Sequence, residues 1–269
     1  MTIAIIGGDK RYVYLYELLC QKGYDVLTFG LLDGQDSNIT LEDTITSADF
    51  IILPIPFKAP ADLYEYISSR QTIISGYIPP DIRNFFKERD ISNYDFSNNP
   101  YFLMQNSITT AEGAIMYALG NPYCTISTSN SLVMGYGKCG KEIAKRLILL
   151  GSNVSVFEKD PVAVRCSELS GCKSIDNLCG HSLTDYDYIF NTIPERLTPC
   201  DTLQTISSHT CVIDITHSGG FDIDYANKVG INIMKTGSIP PVTAPYSIAL
   251  CIVDIICSII NKRGDINAI

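Results

Sequence analysis

Two series of short apolar runs, separated by stretches with helical spacing, set out the architecture of this chain. The first series begins with Ile3-Ala4-Ile5-Ile6 and continues at Asp25–Phe29, Phe50–Pro54 and Thr72–Gly76. Between these runs the spacing of apolar positions predicts helices over Arg11–Gln21, Leu41–Ser47, Ala59–Ser69 and Pro80–Arg89. The second series places strands at Leu132–Met134, Val154–Phe157, Tyr188–Thr192, Cys211–Asp214 and Ile231–Met234. Its helices fall over Lys141–Leu150, Pro161–Ser170, Pro199–Ser207 and Phe221–Val229. Strands that alternate with helices form parallel sheets with helices on both faces. The expected fold class is therefore α/β, with two doubly wound, Rossmann-like domains in succession.

The segment between the two series, Ser107 to Gly120, reads as a connecting helix. Thr109 or Thr110 would cap it, Glu112 would sit in its first turn, and Gly120 would end it ahead of Asn121-Pro122. The most apolar stretch, Ser247 to Ile260, is shorter than a bilayer span needs and carries Asp254 in its middle. It is expected to be a buried C-terminal helix, started by Thr243-Ala244-Pro245 and ended near Asn261-Lys262-Arg263-Gly264. Too apolar for solvent, it should cross back onto the first domain or line a dimer interface. The expected division is an N-terminal α/β domain on the substrate side over residues 1–107 and a connecting helix and linker over 108–127. A dinucleotide-binding domain follows over 128–242, and then the returning helix over 243–269. Crossings near Ser107-Ile108 and Pro240-Pro241-Val242 would form a hinge able to close a cleft.

Composition narrows the function classes. At 269 residues, with 46% hydrophobic and 18% charged positions, the chain can bury the cores of two moderate domains. A formal net charge of −9 argues against nucleic acid and against an anionic membrane surface. Met1-Thr2-Ile3-Ala4 runs straight into a strand, with no basic region or cleavage site of a secretory signal. The 10 cysteines are scattered without a Cys-x-x-Cys pair, which fits reduced thiols acting as small apolar residues in a cytoplasmic protein. Cys166, Cys172 and Cys179, with His181 nearby, form the closest group, but the spacing is not that of a zinc site, and no metal is expected.

The stretch from Ser131 to Glu158 carries the clearest chemistry. An apolar strand leads into Gly135-Tyr136-Gly137-Lys138-Cys139-Gly140, a helix follows, and a second strand ends in Glu158-Lys159. Gly135 permits the tight turn, Gly137 lets the backbone approach a pyrophosphate, and Gly140 lets the helix pack closely on the sheet. The helix N-terminus then offers free N–H groups and its positive dipole end to phosphate. Glu158 follows about 20 residues on, where a carboxylate would accept from an adenosine ribose. The cofactor is NAD or NADP: Glu158 would repel a 2′-phosphate, whereas Lys159 would attract one.

In motif order the chain resembles the dipicolinate synthase A-subunit family, the dehydrogenase-like component of that enzyme. The family is itself similar in architecture to D-2-hydroxyacid dehydrogenases and S-adenosylhomocysteine hydrolases. The matching residues are Ile6-Gly7-Gly8-Asp9-Lys10-Arg11, Asn106-Ser107 with Ala111-Glu112-Gly113-Ala114-Ile115-Met116, and the glycine motif above. Asn191-Thr192-Ile193-Pro194 and Gly219-Gly220-Phe221-Asp222 complete the set. The chain departs from the family pattern at Thr216-His217-Ser218, at Ser238-Ile239-Pro240-Pro241 and at Ser247-Ile248, so it resembles a diverged member.

The resemblance implies oxidation of dihydrodipicolinate to dipicolinate with a nicotinamide cofactor. It also implies a partner, the flavoprotein-like second component of dipicolinate synthase; a homo-oligomer is also compatible. A dianionic substrate calls for a cationic anchor, and Arg11, after the Gly7-Gly8 turn, is the first choice; the alternative is that it pairs with Asp9 to brace the loop. Glu112 would serve as base or ribose partner, or only complement its helix dipole. His217 is placed to accept a proton. Thr192 and Pro194 would shape the nicotinamide side, or simply end their strand. Two other readings remain open: a 2-hydroxyacid-type dehydrogenase for another small acid, and a dinucleotide-binding regulatory subunit without turnover.

Overall fold

The structure is a computed structural model that describes residues 1–31, 39–120, 123–178, 181–195, 205–217, 219–221 and 223–266, without the side chains of 225, 229 and 263–266. The chain divides into two compact units, one of Met1–Gln105 together with the chain from Ala244 onward, the other of Asn106–Thr243. Both are parallel α/β sheets with helices on either face.

In the first unit the strands are β1 (Thr2–Ile6), β2 (Asp25–Phe29), β3 (Phe50–Leu53), β4 (Thr72–Ser75) and β5 (Ser92–Asp95), in the order β2-β1-β3-β4-β5. Its helices are α1 (Lys10–Gln21), α2 (Leu41–Ser47), α3 (Leu63–Tyr66) and α4 (Pro80–Glu88), joined by the C-terminal α10 (Pro245–Ile266). Alternate residues of β1 serve opposite cores, as the two-residue period of a strand requires. Ile3 and Ile5 pack with Tyr12, Leu15 and Leu19 of α1 and with Ile248, Ile252 and Ile256 of α10. Ala4 and Ile6 pack with Ile45, Leu63 and Phe86 on the other face.

The length expectation for the C-terminal helix is overturned. Over Pro245–Lys262, α10 is long and apolar enough to cross a membrane by length and composition. Its burial decides the matter. Ile248, Ile252, Val253 and Ile256 are fully enclosed in the first unit's core, and Asp254 lies on the exposed side.

The second unit carries β6 (Asn130–Met134), β7 (Asn153–Phe157), β8 (Lys173–Ile175), β9 (Tyr188–Asn191), β10 (Cys211–Asp214) and β11 (Ile233–Lys235), in the order β11-β10-β9-β6-β7-β8. The order reverses between β6 and β9, and the carboxyl end of that junction is where doubly wound sheets leave a ligand crevice. Helices α6 (Lys138–Leu149), α7 (Pro161–Leu169), α8 (Ile223–Val229) and α9 (Pro240–Thr243) complete the unit. Val133 packs with Ala111, Ile143 and Leu147 on one face, and Leu132 and Met134 with Ile206, Phe221 and Ala226 on the other.

The connecting helix starts earlier than its sequence suggests. Helix α5 (Pro100–Leu119) begins behind Asn99, whose Oδ1 accepts from the N–H groups of Tyr101 at 2.9 Å and Phe102 at 3.2 Å. Thr109 and Thr110 are therefore interior positions, and the Thr110 hydroxyl donates back to the Asn106 carbonyl at 2.7 Å. Likewise α6 begins at Lys138, directly behind Gly137, instead of at Lys141. Residues 199–204 of the expected helix over Pro199–Ser207, and the boundary at Asn121-Pro122, lie outside the described residues.

Candidate dinucleotide site

The turn after β6 is built as a phosphate cradle. Gly135 sits at φ +90, a left-handed conformation that disfavours other residues, and an added Cβ there would meet Thr192 Oγ1 at 2.5 Å. An added Cβ at Gly140 would collide with the Gly135 carbonyl, so the first turn of α6 lies directly on the strand end. Gly137 differs. It is the N-cap of α6, has no side chain to bond the helix amides, and an added Cβ there would meet nothing within 4 Å. Open space in front of unsatisfied helix N–H groups is the arrangement a pyrophosphate fills, so the residues present fit a dinucleotide.

Glu158 closes the turn from the next strand. Its Oε2 accepts from the Tyr136 N–H at 2.7 Å, and its Oε1 from the N–H groups of Lys159 at 2.7 Å and Asp160 at 3.1 Å. Burial acts to raise the pKa of this carboxyl, but the backbone donors of Tyr136, Asp160 and Lys159 and the charge of Lys141 outweigh it and hold it below the ordinary carboxylate range. A depressed folded pKa means that this brace stabilises the turn above the unfolded value and is lost as pH falls through the folded one. Lys141 also stands 5.7 Å from the centre of the Tyr136 ring. Lys138 and Lys159 are exposed.

A cleft of about 300 Å³ within the second unit opens beside this turn. It is lined by Cys139 from α6, Thr192 and Pro194 after β9, Thr216 and His217 after β10, and Ser238, Ile239 and Pro240 before and at α9. Four sequence-selected residues, Cys139, Thr192, Pro194 and His217, thus come together there. Thr192 also donates its hydroxyl to the Met134 carbonyl at 2.9 Å, fixing the loop after β9 to the end of β6. Burial pushes the Cys139 thiol up, against the lowering effect of Ser107, Thr110 and Lys138.

The structure corrects the placement of Glu112 and decides between the two placements open for Arg11. Glu112 is not at a helix start. It lies in the interior of α5, more than half exposed, and its carboxylate meets Arg146 of α6 at 3.1 Å. Arg146 also holds Glu142 at 2.5 Å. From Lys138 to Arg146 is about 12 Å along a helix at 1.5 Å per residue, so this pair sits well away from the phosphate end. Arg11 is not a free anchor either. Its Nε reaches Asp9 Oδ1 at 2.9 Å, and its Nη2 reaches Asp9 Oδ2 at 2.6 Å and the Ile55 carbonyl at 2.6 Å. Asp9 in turn caps α1 by accepting from the Arg11 N–H at 3.0 Å. The clamp joins the loops after β1 and β3, so taking a substrate carboxylate would mean that the nearly buried Arg11 gives up its partner.

Removing the clamp has a cost that can be measured. Arg11→Ala leaves Asp9 and the Ile55 carbonyl without their guanidinium donors and should lower stability by about 2–3 kcal/mol in urea unfolding. A variant as stable as the parent would mean that the clamp does not hold in solution.

Other sequence-selected residues take structural places. His209 stacks on Tyr123 with ring centres 4.3 Å apart, and His181 lies against Tyr186. Every cysteine among the described residues is a free thiol, and no group of His, Cys, Asp and Glu among them could hold a metal; Cys179 lies outside the described residues. Sequence reading gave no role to Asp214, nor to Asn191 beyond its place in a matched motif. Both are fully buried at the ends of β10 and β9, and for Asp214 only its strand-end position marks it in the sequence.

Residues 2–61 match the family model of the N-terminal domain of the dipicolinate synthase A-subunit. Over 97% of its length the chain is 24% identical to the dipicolinate synthase A-subunit of Bacillus subtilis, covering 96% of that protein. Along its length the chain is similar to the dipicolinate synthase A-subunit. The crystal structure of the same protein from Bacillus halodurans superposes with a TM-score of 0.84 at 24% identity, covering 96% of this chain and 97% of that one. The same two-unit fold extends to a D-isomer-specific 2-hydroxyacid dehydrogenase of Lactobacillus delbrueckii in NAD-complexed form, with a TM-score of 0.59 at 11% identity over 98% of this chain and 97% of that one. Kinship to the dipicolinate synthase proteins therefore runs the length of the chain, on a dehydrogenase-like architecture.

Proposed function

We propose that this chain is a cytosolic oxidoreductase subunit that holds a nicotinamide dinucleotide on its second unit and oxidises dihydrodipicolinate to dipicolinate. The observation that carries the reading is the open approach to the α6 N-terminus beside Gly137, at the switch point of the sheet and next to a cleft. Full-length similarity to a dipicolinate synthase component supports the substrate. A second, flavoprotein-like subunit is the expected partner, so turnover is to be measured with it present.

Once bound, the cofactor would supply a hydride acceptor at C4 of its nicotinamide ring. The chain supplies placement and proton transfer. Amides of the first turn of α6 hold the pyrophosphate, and Glu158 has acceptor capacity left for a ribose hydroxyl after its backbone bonds. Thr192 and Pro194 shape the nicotinamide side. His217, exposed on the cleft wall, takes the proton released as the substrate ring becomes aromatic. Ile215, Ile239 and Pro240 give that wall apolar surface. Among the described residues that line it there is no lysine or arginine, and with Arg11 engaged, Lys10, exposed at the start of α1, is the next residue to test as the carboxylate anchor.

A second reading has one observation in its favour. Thr216, His217, Ser238, Ile239 and Pro240, at which the chain departs from the family pattern, all line the cleft. That placement suits a dehydrogenase for a different small acid. Assaying the chain with its partner on dihydrodipicolinate and on 2-hydroxyacids, by the absorbance of reduced nicotinamide, separates the two.

Cofactor preference follows from Glu158. Glu158→Ala should weaken both dinucleotides, because the Tyr136 amide loses its acceptor, yet shift the NADP-to-NAD affinity ratio toward NADP by about tenfold through loss of like-charge repulsion. Calorimetric titration with each dinucleotide reads both effects, and an unchanged ratio would mean that the carboxylate does not face the ribose.

A further inference from the structure

Asp214 is a carboxylate with no solvent exposure, and among the described residues no cation pairs with it. Its Oδ1 accepts from the Thr216 N–H at 3.0 Å, the Thr216 hydroxyl at 2.7 Å and the Asn191 side-chain amide at 3.1 Å. Its Oδ2 accepts from the Gly220 N–H at 2.8 Å. Asn191 is its register partner on β9 and is equally buried. The Asn191 Oδ1 accepts from the Ile193 N–H at 3.1 Å, and its Nδ2 also donates to the Ile193 carbonyl at 3.3 Å. The two loops touch at this knot, since an added Cβ on Gly220 would collide with Asn191 Nδ2.

Burying a charge costs several kcal/mol, and an apolar pair would hold two strands together at least as well. What an apolar pair cannot do is satisfy amides in loops that have left the sheet. Both side chains spend their hydrogen bonds on such groups: Asn191 on Ile193 after β9, Asp214 on Thr216 and Gly220 after β10. Thr192, Pro194, Thr216 and His217 of these same loops line the cleft.

We infer that the Asn191–Asp214 pair is a positioning device for the nicotinamide end of the dinucleotide. Asp214 is a positioning residue: it touches no ligand but ties the two cleft loops to one another and so places Thr192, Pro194, Thr216 and His217. The inference rests on the dinucleotide reading above. It assigns the glycine turn to the adenosine and pyrophosphate part of the ligand and the Asn191–Asp214 knot to the remainder.

ADP-ribose, which lacks the nicotinamide, separates the two halves. The wild-type chain should bind ADP-ribose and bind the intact dinucleotide more tightly. Asp214→Asn should bind ADP-ribose like the wild type but lose about tenfold or more in affinity for the dinucleotide, as expected for a broken charge-assisted hydrogen bond. Asn191→Ala reads the same quantity if the first variant does not fold, and the double variant should lose no more than the worse single one, because the pair acts as a unit. Equal weakening of both ligands, an unchanged dinucleotide affinity, or a wild-type chain that prefers neither ligand over the other would overturn the inference. A wild-type chain that binds neither ligand would instead remove the dinucleotide reading, and the inference with it.

Discussion

A Gly137→Asp variant is expected to fold as well as the parent and to lose measurable dinucleotide binding. The two halves of that expectation have separate causes. Gly137 has φ −72, so a side chain introduces no left-handed strain, and an added Cβ has open space around it. It is also the N-cap of α6, where aspartate is among the preferred residues because its carboxylate accepts from the first amides of the helix. Unfolding should therefore show stability unchanged or raised by about 0.5–1 kcal/mol. The same carboxylate takes the N–H groups meant for phosphate and sets a negative charge against a pyrophosphate. Like charges brought together cost several kcal/mol, so affinity should drop by about 1,000-fold or more. Calorimetry that finds a stable variant with parental affinity would take the glycine turn out of the account.

The second large effect lies in the core of the first unit. Ile252→Ala on α10 should destabilise the chain by about 3 kcal/mol, because a fully buried branched side chain leaves a cavity that its neighbours only partly fill. Its surroundings include Ile3, Ile5, Tyr12, Leu15 and Leu19, from elements at the opposite end of a chain of 269 residues. Leu250→Ala on the same helix is the control. Leu250 is 39% exposed, and its replacement should stay within about 0.5 kcal/mol. Urea unfolding followed by far-ultraviolet circular dichroism reads both. Equal, small effects would mean that α10 is not part of this core.

Where signals were local, the sequence was easy to read. Strands with continuous apolar runs, such as Phe50–Leu53 and Cys211–Asp214, are buried on both faces of parallel sheets and so show no polar alternation. Two edge strands, β5 and β8, escaped notice for the converse reason. Ser92–Asp95 is half exposed and polar, and Lys173–Ile175 is only 3 residues long, so their existence depends on pairing with β4 and β7 instead of on their own composition. The start of α5 was misplaced because Thr109-Thr110 imitates a cap, whereas the working cap, Asn99, follows a turn with no apolar marker.

The site divides in the same way. Gly135, Gly137, Gly140 and Glu158 are recognisable because each backbone demand falls within one strand–turn–helix–strand unit. For Arg11 the local pair with Asp9 was one of two open readings, but the Ile55 carbonyl that completes its clamp is distant in sequence, and the partner of Glu112, Arg146, sits on another element. Asp214 was passed over because an acid at a strand end looks like any loop residue until its donors are seen.

The central claim is that a nicotinamide dinucleotide binds at the turn after β6. Titrating the chain, labelled with nitrogen-15 at glycine, with NAD or NADP while recording amide resonances tests it most directly. The account predicts saturable shifts at Gly135, Gly137 and Gly140, with Gly23 and Gly30 of the first unit unmoved. Shifts confined to Gly7 and Gly8, or none at saturating dinucleotide, would contradict it.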